Sequence, residues 1–294
     1  MHPTLPLRHF LLALAVVAVW GTNFVVIKLA LGHLPPLLFA ALRFTIALLP
    51  AVFFLPRPAV PWRNLALYGL LIGVGQFGLL YVAMNGHISP GLASLVIQIQ
   101  VFFTIALSMR LTGERVRPFQ WFALLLAASG IGVIVLHTDG TTTLFGLFLI
   151  LLAALSWAGG NMAAKQGAPA NMLAYVVWSS AFAIPPLFAL SFMIEGWDVA
   201  VAGVRQADLA TWAAVAWQSW ANTLFGYAAW GWLLARHPAA TITPLALLIP
   251  VFGMGASALL LGEALPAWKL AAAGLVMAGL TLNLLWPRRR SIAA

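Results

Sequence analysis

The sequence predicts an all-α, polytopic membrane protein of ten transmembrane helices, arranged as two inverted five-helix repeats around a central cavity. Three observations predict it. The 294 residues are 63% hydrophobic and only 7% charged, against roughly 25% charged residues in an average soluble domain. Apolar runs of about 20 residues, the length that spans a bilayer, recur ten times between short breaks of Pro, Gly and charge. Two stretches of the chain resemble each other in register. So few charged side chains do not clothe a soluble enzyme, a secreted scaffold or a disordered chain. The absence of cysteine removes disulfides, thiolate metal sites and cysteine nucleophiles.

The segments follow in order. Segment 1 (10–30) starts after Arg8, and Trp20-Gly21-Thr22-Asn23-Phe24 is no small-residue cleavage site, so it reads as a retained helix rather than a signal peptide. Segment 2 (36–55) encloses Arg43, and segment 3 (65–86) is rich in glycine at 69, 73, 75 and 78. Segment 4 (90–110) ends in Leu111-Thr112-Gly113-Glu114, and Pro118 opens segment 5 (118–136). Segment 6 (144–165) carries Gly159-Gly160 and closes on Lys165, and segment 7 is 171–194. A loop over 195–208 holds Glu195, Asp198, Arg205 and Asp208. Segment 8 (209–234) is dense in tryptophan, and segment 9 (239–261) contains Pro244 and Pro250. Pro266 precedes segment 10 (268–286). Trp62, Trp121, Trp212, Trp268 and Trp286 fall near segment ends, where tryptophan anchors at the interface.

The net charge of +9 does not indicate nucleic acid, because the basic residues lie between apolar segments rather than on one polar domain. They read as topology signals. Eleven Lys and Arg residues fall on the side of the N-terminus, three (Lys28, Arg205, Lys269) on the other, and Arg43 lies inside segment 2. The positive-inside rule then places both termini in the cytoplasm.

Segment 1 reads Trp20 to Lys28 with Asn23 between; segment 6 reads Trp157 to Lys165 with Asn161 between. Gly113-Glu114 after segment 4 and Gly262-Glu263 after segment 9 correspond, as do Gly130 and Gly279. Residues 1–137 and 138–294 therefore read as two copies, and five helices per copy makes the second enter the membrane inverted. Inverted repeats are a common plan for transporters, with the substrate near the midplane between the halves.

These features together resemble the drug/metabolite transporter superfamily, EamA-type branch, and most closely its bacterial exporters of aromatic amino acids. The resemblance covers nearly the whole chain. It implies a helical basket in the bacterial inner membrane whose cavity is formed by segments 1, 3, 4, 6, 8 and 9. One departure from the repeat is Gln100 in segment 4 where segment 9 has Pro250, which predicts a midplane kink in segment 9 alone.

Ionisable groups at membrane depth are functional by default, and here they are few. All six acids and all six histidines fall at segment ends or in loops. That argues against a proton relay, a metal site and intramembrane hydrolysis. Arg43 reads either as a carboxylate-binding fork or as a structural tie that snorkels or bonds a neighbouring helix. Glu114 and Glu263 oppose the local helix dipole and call for a cation or a backbone donor. Lys28 and Lys165, at opposite ends of related helices, either complement the dipole or gate. Pro244 and Pro250 free backbone carbonyls and can act as hinges.

Amides, hydroxyls and rings at mid-depth describe a neutral, amphipathic pocket. The candidates for substrate contact are Trp20, Asn23, Tyr81, Ser94, Gln98, Trp157, Asn161, Trp178 and Tyr227. Amides meet an amino acid's ammonium and carboxylate, and rings stack on its side chain; each amide alone also reads as an interhelical hydrogen bond. The function this predicts is export of small neutral metabolites, aromatic and other neutral amino acids among them, by alternating access. Rival readings are a broad drug exporter, which would keep an acid in the pocket, a channel, a membrane enzyme or scaffold, and a nucleotide-sugar carrier. No cofactor, no metal and no nucleic-acid partner is implied; a small solute and the bilayer are the partners, and the oligomeric state stays open, a monomer among the readings.

Overall fold

The computed structural model describes residues 5–112, 118–138 and 140–290, the side chains of 111–112, 239–240 and 286–290 apart. Among the described residues the chain is helical, without a strand, and nine helical stretches are long and apolar enough to cross a membrane. Segments 1 to 6 are Leu7–Ala30, Pro36–Phe54, Trp62–Met84, Pro90–Arg110, Pro118–Leu136 and Leu144–Gly167; segments 9 and 10 are Thr243–Leu261 and Ala267–Leu285. Glu114 lies outside the described residues, so its partner is not seen.

Segment 7 opens the ninth stretch, Met172–Gln206. It runs unbroken through Pro185 and Pro186. Gly196, at φ 94°, then turns the chain into a separate helix, Trp197–Gln206. The loop expected over 195–208 is thus mostly helix. The charges that signalled a loop lie on one side of it: Ala200 and Gly203 are buried, Asp198 and Arg205 are exposed, and Trp197 and Val204 share a third, apolar side.

Segment 8, residues 209–236, is continuously helical but is not among the nine. It carries Gln218, Ser219, Asn222 and Thr223, all buried against protein, and these lower its hydropathy. Its ends meet the two ends of segment 1. His33 is 2.8 Å from the Thr211 hydroxyl, and at the other end His9 Nδ1 lies 2.7 Å from His237 Nε2. Asp208 caps this helix by accepting from the Thr211 N–H and hydroxyl, which holds its carboxyl below the usual range.

Besides a π turn at Ser191–Gly196 that ends segment 7, four segments depart from regular α-helix in corresponding places. Segments 3 and 8 widen into π turns at Leu70–Gly78 and Trp217–Phe225; segments 4 and 9 tighten into 3-10 turns at Ile97–Ile99 and Thr243–Leu248. The irregularity expected only in segment 9 is present in both. Proline is not required, because a 3-10 turn only moves the backbone bond from i−4 to i−3, and the turn in segment 4 falls where Gln98 interrupts the apolar run.

Segment 1 packs against 8 and 9, segment 6 against 3 and 4, segment 2 against 7 and 8, segment 7 against 2 and 3, segment 4 against 9, and segment 5 against 10. Small residues set the closest approaches. A Cβ at Gly253 would sit 2.4 Å from Ser94 Oγ and 3.3 Å from the Gly21 carbonyl, at the crossing of segments 1, 4 and 9. Gly130 and Gly279 let segments 5 and 10 touch backbone to backbone.

Two carboxylates join the halves on the side away from the N-terminus. Glu263 accepts from the Ser89 hydroxyl at 2.5 Å, the Gly91 N–H at 2.9 Å and Lys269 Nζ at 3.0 Å. Glu195 accepts from the Leu37 and Leu38 N–H groups at 2.6 and 3.1 Å and from Ser191. Each satisfies orphan N–H groups at a helix N-terminus, where negative charge is favoured. Glu263 thereby has the cation and backbone donor its position called for.

Arg43 is 1% exposed. Its guanidinium donates to Tyr81 Oη at 2.9 Å and Thr223 Oγ1 at 2.7 Å and lies 3.9 Å from the Phe77 ring centroid. Its carbonyl accepts from Ser219. It ties segments 2, 3 and 8 through side-chain hydroxyls.

Two predictions follow from this packing. Gly253→Ala overpacks the three-helix crossing and should cost about 1–3 kcal/mol, read as a lower thermal midpoint in detergent, whereas Gly255→Ala, with nothing within 4 Å of its Cβ, should leave the midpoint unchanged. Arg43→Ala takes a donor from the buried Tyr81 and Thr223 hydroxyls, of which Thr223 keeps its bond to the Gln218 carbonyl, and opens a hole beside Phe77; equilibrium unfolding should register a loss of about 2–4 kcal/mol.

Candidate functional site

The helical irregularities surround a cavity of about 470 Å³, within the range of small-molecule sites. Segments 1, 3, 4, 6, 8 and 9 supply most of its wall. Segments 7 and 10, outside the set that the resemblance implied, add Met172 and Leu280, Asn283 and Leu284. Lining residues near the N-terminal-side ends of their helices, such as Tyr68, Met172, Thr243 and Asn283, place the mouth toward that side. The opposite side is the one closed by Glu195 and Glu263.

The wall is neutral: among the described residues, no Asp, Glu, Lys, Arg or His lines it. Rings form one part of it. Trp20 packs 5.2 Å from Trp230 and 6.0 Å from Tyr227, centroid to centroid, and its Nε1 donates to the Asn222 carbonyl at 3.0 Å. Phe24, Phe77, Tyr68 and Trp157 extend this surface. Such rings offer large apolar area with defined geometry.

Amides form the other part. Asn161 Nδ2 donates to Gln100 Oε1 at 3.0 Å and Thr104 Oγ1 at 3.3 Å, so it links segment 6 to segment 4 while facing the cavity. Asn23 Oδ1, Gln98 Nε2 and Asn283 Oδ1 are buried and have no hydrogen-bond partner among the described residues. Leaving a buried donor or acceptor unpaired costs about 1–3 kcal/mol. Where such atoms line a cavity they are poised to bond a solute. Two are acceptors and one a donor, so both polarities are offered.

Of the nine residues predicted from sequence to contact a substrate, Trp20, Asn23, Gln98, Trp157, Asn161 and Tyr227 line the cavity. The other three lie off its wall, each engaged elsewhere. Tyr81 accepts from Arg43 and stacks on Phe39. Ser94 donates to the Gly91 carbonyl at the crossing with Gly253. Trp178 donates to the Leu55 carbonyl and packs on Trp62. Depth in a helix fixes level but not azimuth, and segment-end uncertainty of a few residues moves a side chain halfway round a turn.

The gate and hinge candidates divide similarly. Pro250 lines the cavity, and Pro244 lies in the 3-10 turn of segment 9. Lys28 is exposed at the end of segment 1, and Lys165 Nζ donates to Ser108 at 3.3 Å. Residues that sequence reasoning passed over are Tyr68, Met172, Trp230 and Asn283. Asn283 did carry a signal, since it is a lone amide in an apolar segment. Among the described residues, no group of three or more His, Cys, Asp and Glu could hold a metal ion.

Comparison with known proteins places this geometry. A probable amino-acid metabolite efflux pump of Salmonella typhimurium LT2 is 42% identical over 288 residues, covering 96% of each chain. A probable amino-acid metabolite efflux pump of Escherichia coli K12 is 40% identical over 287 residues, covering 95% of each. A crystal structure at 19% identity matches with TM-score 0.64 over 96% of this chain and 98% of the other, which shows a shared fold. The EamA-like transporter family matches residues 7–136 and 144–285. The chain belongs to the EamA-like transporter family.

Proposed function

We propose that this protein exports small zwitterionic metabolites, neutral and aromatic amino acids foremost, across a bacterial inner membrane by alternating access. The observation that carries the reading is the charge-free cavity with unpaired amide atoms of both polarities beside aromatic rings. A zwitterion has no net charge to neutralise, and its ammonium and carboxylate are matched by a carboxamide's oxygen and nitrogen. A lipophilic cation or a sugar nucleotide would instead call for a fixed counter-charge on the wall. The names of the two 40–42% identical relatives support amino-acid metabolites as the class and efflux as the direction. A relative 33% identical over 179 residues, an uncharacterized inner membrane transporter of Escherichia coli K12, supports the location.

Ten spans in two inverted repeats are part of this proposal. Segment 8 is the tenth span, since it runs end to end beside segment 1. Exchanging segments 1–5 with 6–10 exchanges the main packing partners, and the π turns of segments 3 and 8 and the 3-10 turns of segments 4 and 9 correspond, while the π turn Ser191–Gly196 of segment 7 has no counterpart in segment 2. The family match in two stretches supports the division near residue 137. With the termini cytoplasmic, the cavity faces inward, and outward opening requires Glu195 and Glu263 to release segments 2 and 4. Carriage runs down the solute's own gradient, because the cavity wall holds no titratable acid or histidine.

Purified protein in liposomes tests this with labelled Trp, Phe and Thr and an aspartate control, with and without a pH gradient. Uptake of the neutral amino acids should saturate, ignore the gradient and exclude aspartate. Gln98→Ala and Asn161→Ala should each lower it by about tenfold, the worth of one or two hydrogen bonds. Folded protein that moves none of the three refutes the substrate class, and flux that does not saturate refutes the carrier.

A further inference from the structure

The cavity's unpartnered amide atoms fall at two depths. Asn23 lies seven residues before the end of Leu7–Ala30, and Gln98 eight residues after the start of Pro90–Arg110. At about 1.5 Å per residue, both are about 11–12 Å from the helix ends on the closed side. Asn283 lies sixteen residues after Ala267, which is about 24 Å from the same side. An amino acid's ammonium and carboxylate belong to one residue, which spans at most about 3.6 Å. One bound molecule does not place its charged groups at both levels.

We infer that Asn283 forms a second, outer subsite at the mouth of the cavity, where its Oδ1 accepts a hydrogen bond from the ammonium of a zwitterionic solute before that solute reaches Asn23 and Gln98. This rests on the substrate class proposed above and adds a specificity-determining residue from a segment outside the set of six. Asn283 shares the wall with Leu280, Leu284, Ala246 and Leu247, and an acceptor among apolar side chains bonds a cationic donor more strongly than water-exposed amides do. Its unpaired atom is an acceptor, so the complementary ligand atom is a donor.

The fold gives the amide no role that explains it. With Oδ1 unpartnered, replacing the side chain by an apolar one of similar size is neutral or stabilising. Binding and structural roles therefore separate in one variant. Asn283→Leu is reconstituted beside the wild type, and thermal midpoint and half-saturation for labelled Phe are measured; Asn283→Asp, which keeps an acceptor and adds charge, is the second variant. The leucine variant should melt at or above the wild-type midpoint while its half-saturation rises about tenfold, as for loss of one charge-assisted hydrogen bond. The aspartate variant should bind Phe at least as well as the wild type. Wild-type half-saturation in Asn283→Leu, or a lowered midpoint, overturns the outer subsite while leaving the substrate class standing. Absence of Phe transport by the wild type removes both.

Discussion

Hydrocarbon offers no hydrogen bonds, so every polar group at membrane depth either finds a partner inside the protein or carries a free-energy cost. The helix N-termini of segments 2 and 4 are satisfied by Glu195 and Glu263, which come from the other half of the chain. A buried arginine without a carboxylate is held by two hydroxyls and two ring faces. Other buried atoms also lack a partner away from the cavity, both amide atoms of Gln218 and the hydroxyls of Ser179 and Ser257 among them, but Asn23, Gln98 and Asn283 bring unpaired amide atoms to residues that line one neutral cavity. The proposed solute is what would pair the three on the cavity.

The same constraint decides what the sequence revealed. Composition and apolar run length were enough for the helical class, because a bilayer admits few alternatives. The proposed repeat is read from Trp20–Lys28 against Trp157–Lys165, where small and polar residues recur at the same spacing. Azimuth was not visible. Segment 4 shows why: Ser94 and Gln98 are four residues apart, yet the 3-10 turn at Ile97–Ile99 re-aims the helix between them, so that Gln98 meets the cavity and Ser94 a helix crossing. The helix Trp197–Gln206 was hidden by its charges, which mark a water-facing side as readily as a loop. Asn283 was overlooked because family resemblance assigned segment 10 no part in the cavity.

Symmetry of packing and asymmetry of closure together make the proposed mechanism specific. In the proposed inverted repeat, exchanging partners between the two sets of five would give a second arrangement of comparable packing in which the open and closed sides trade places. What distinguishes the sides in the present arrangement is polar: Glu263 with Ser89, Gly91 and Lys269, and Glu195 with the start of segment 2. These bonds are local to helix ends and break without unpacking the apolar body of either half. In the proposed mechanism, a solute that fills the cavity and satisfies its amides lowers the cost of enclosing them, and so couples occupancy to closure.

The chain contains no cysteine, so a single engineered thiol reports without background. Ala246→Cys places that thiol on the cavity wall. The direct measurement is its rate of alkylation by a small hydrophilic maleimide, with and without saturating phenylalanine. If the cavity is the amino-acid site, the thiol reacts readily and phenylalanine slows it several-fold, while aspartate does not. A thiol that reacts at the same rate whatever amino acid is present would contradict the assignment of this cavity as the transport site.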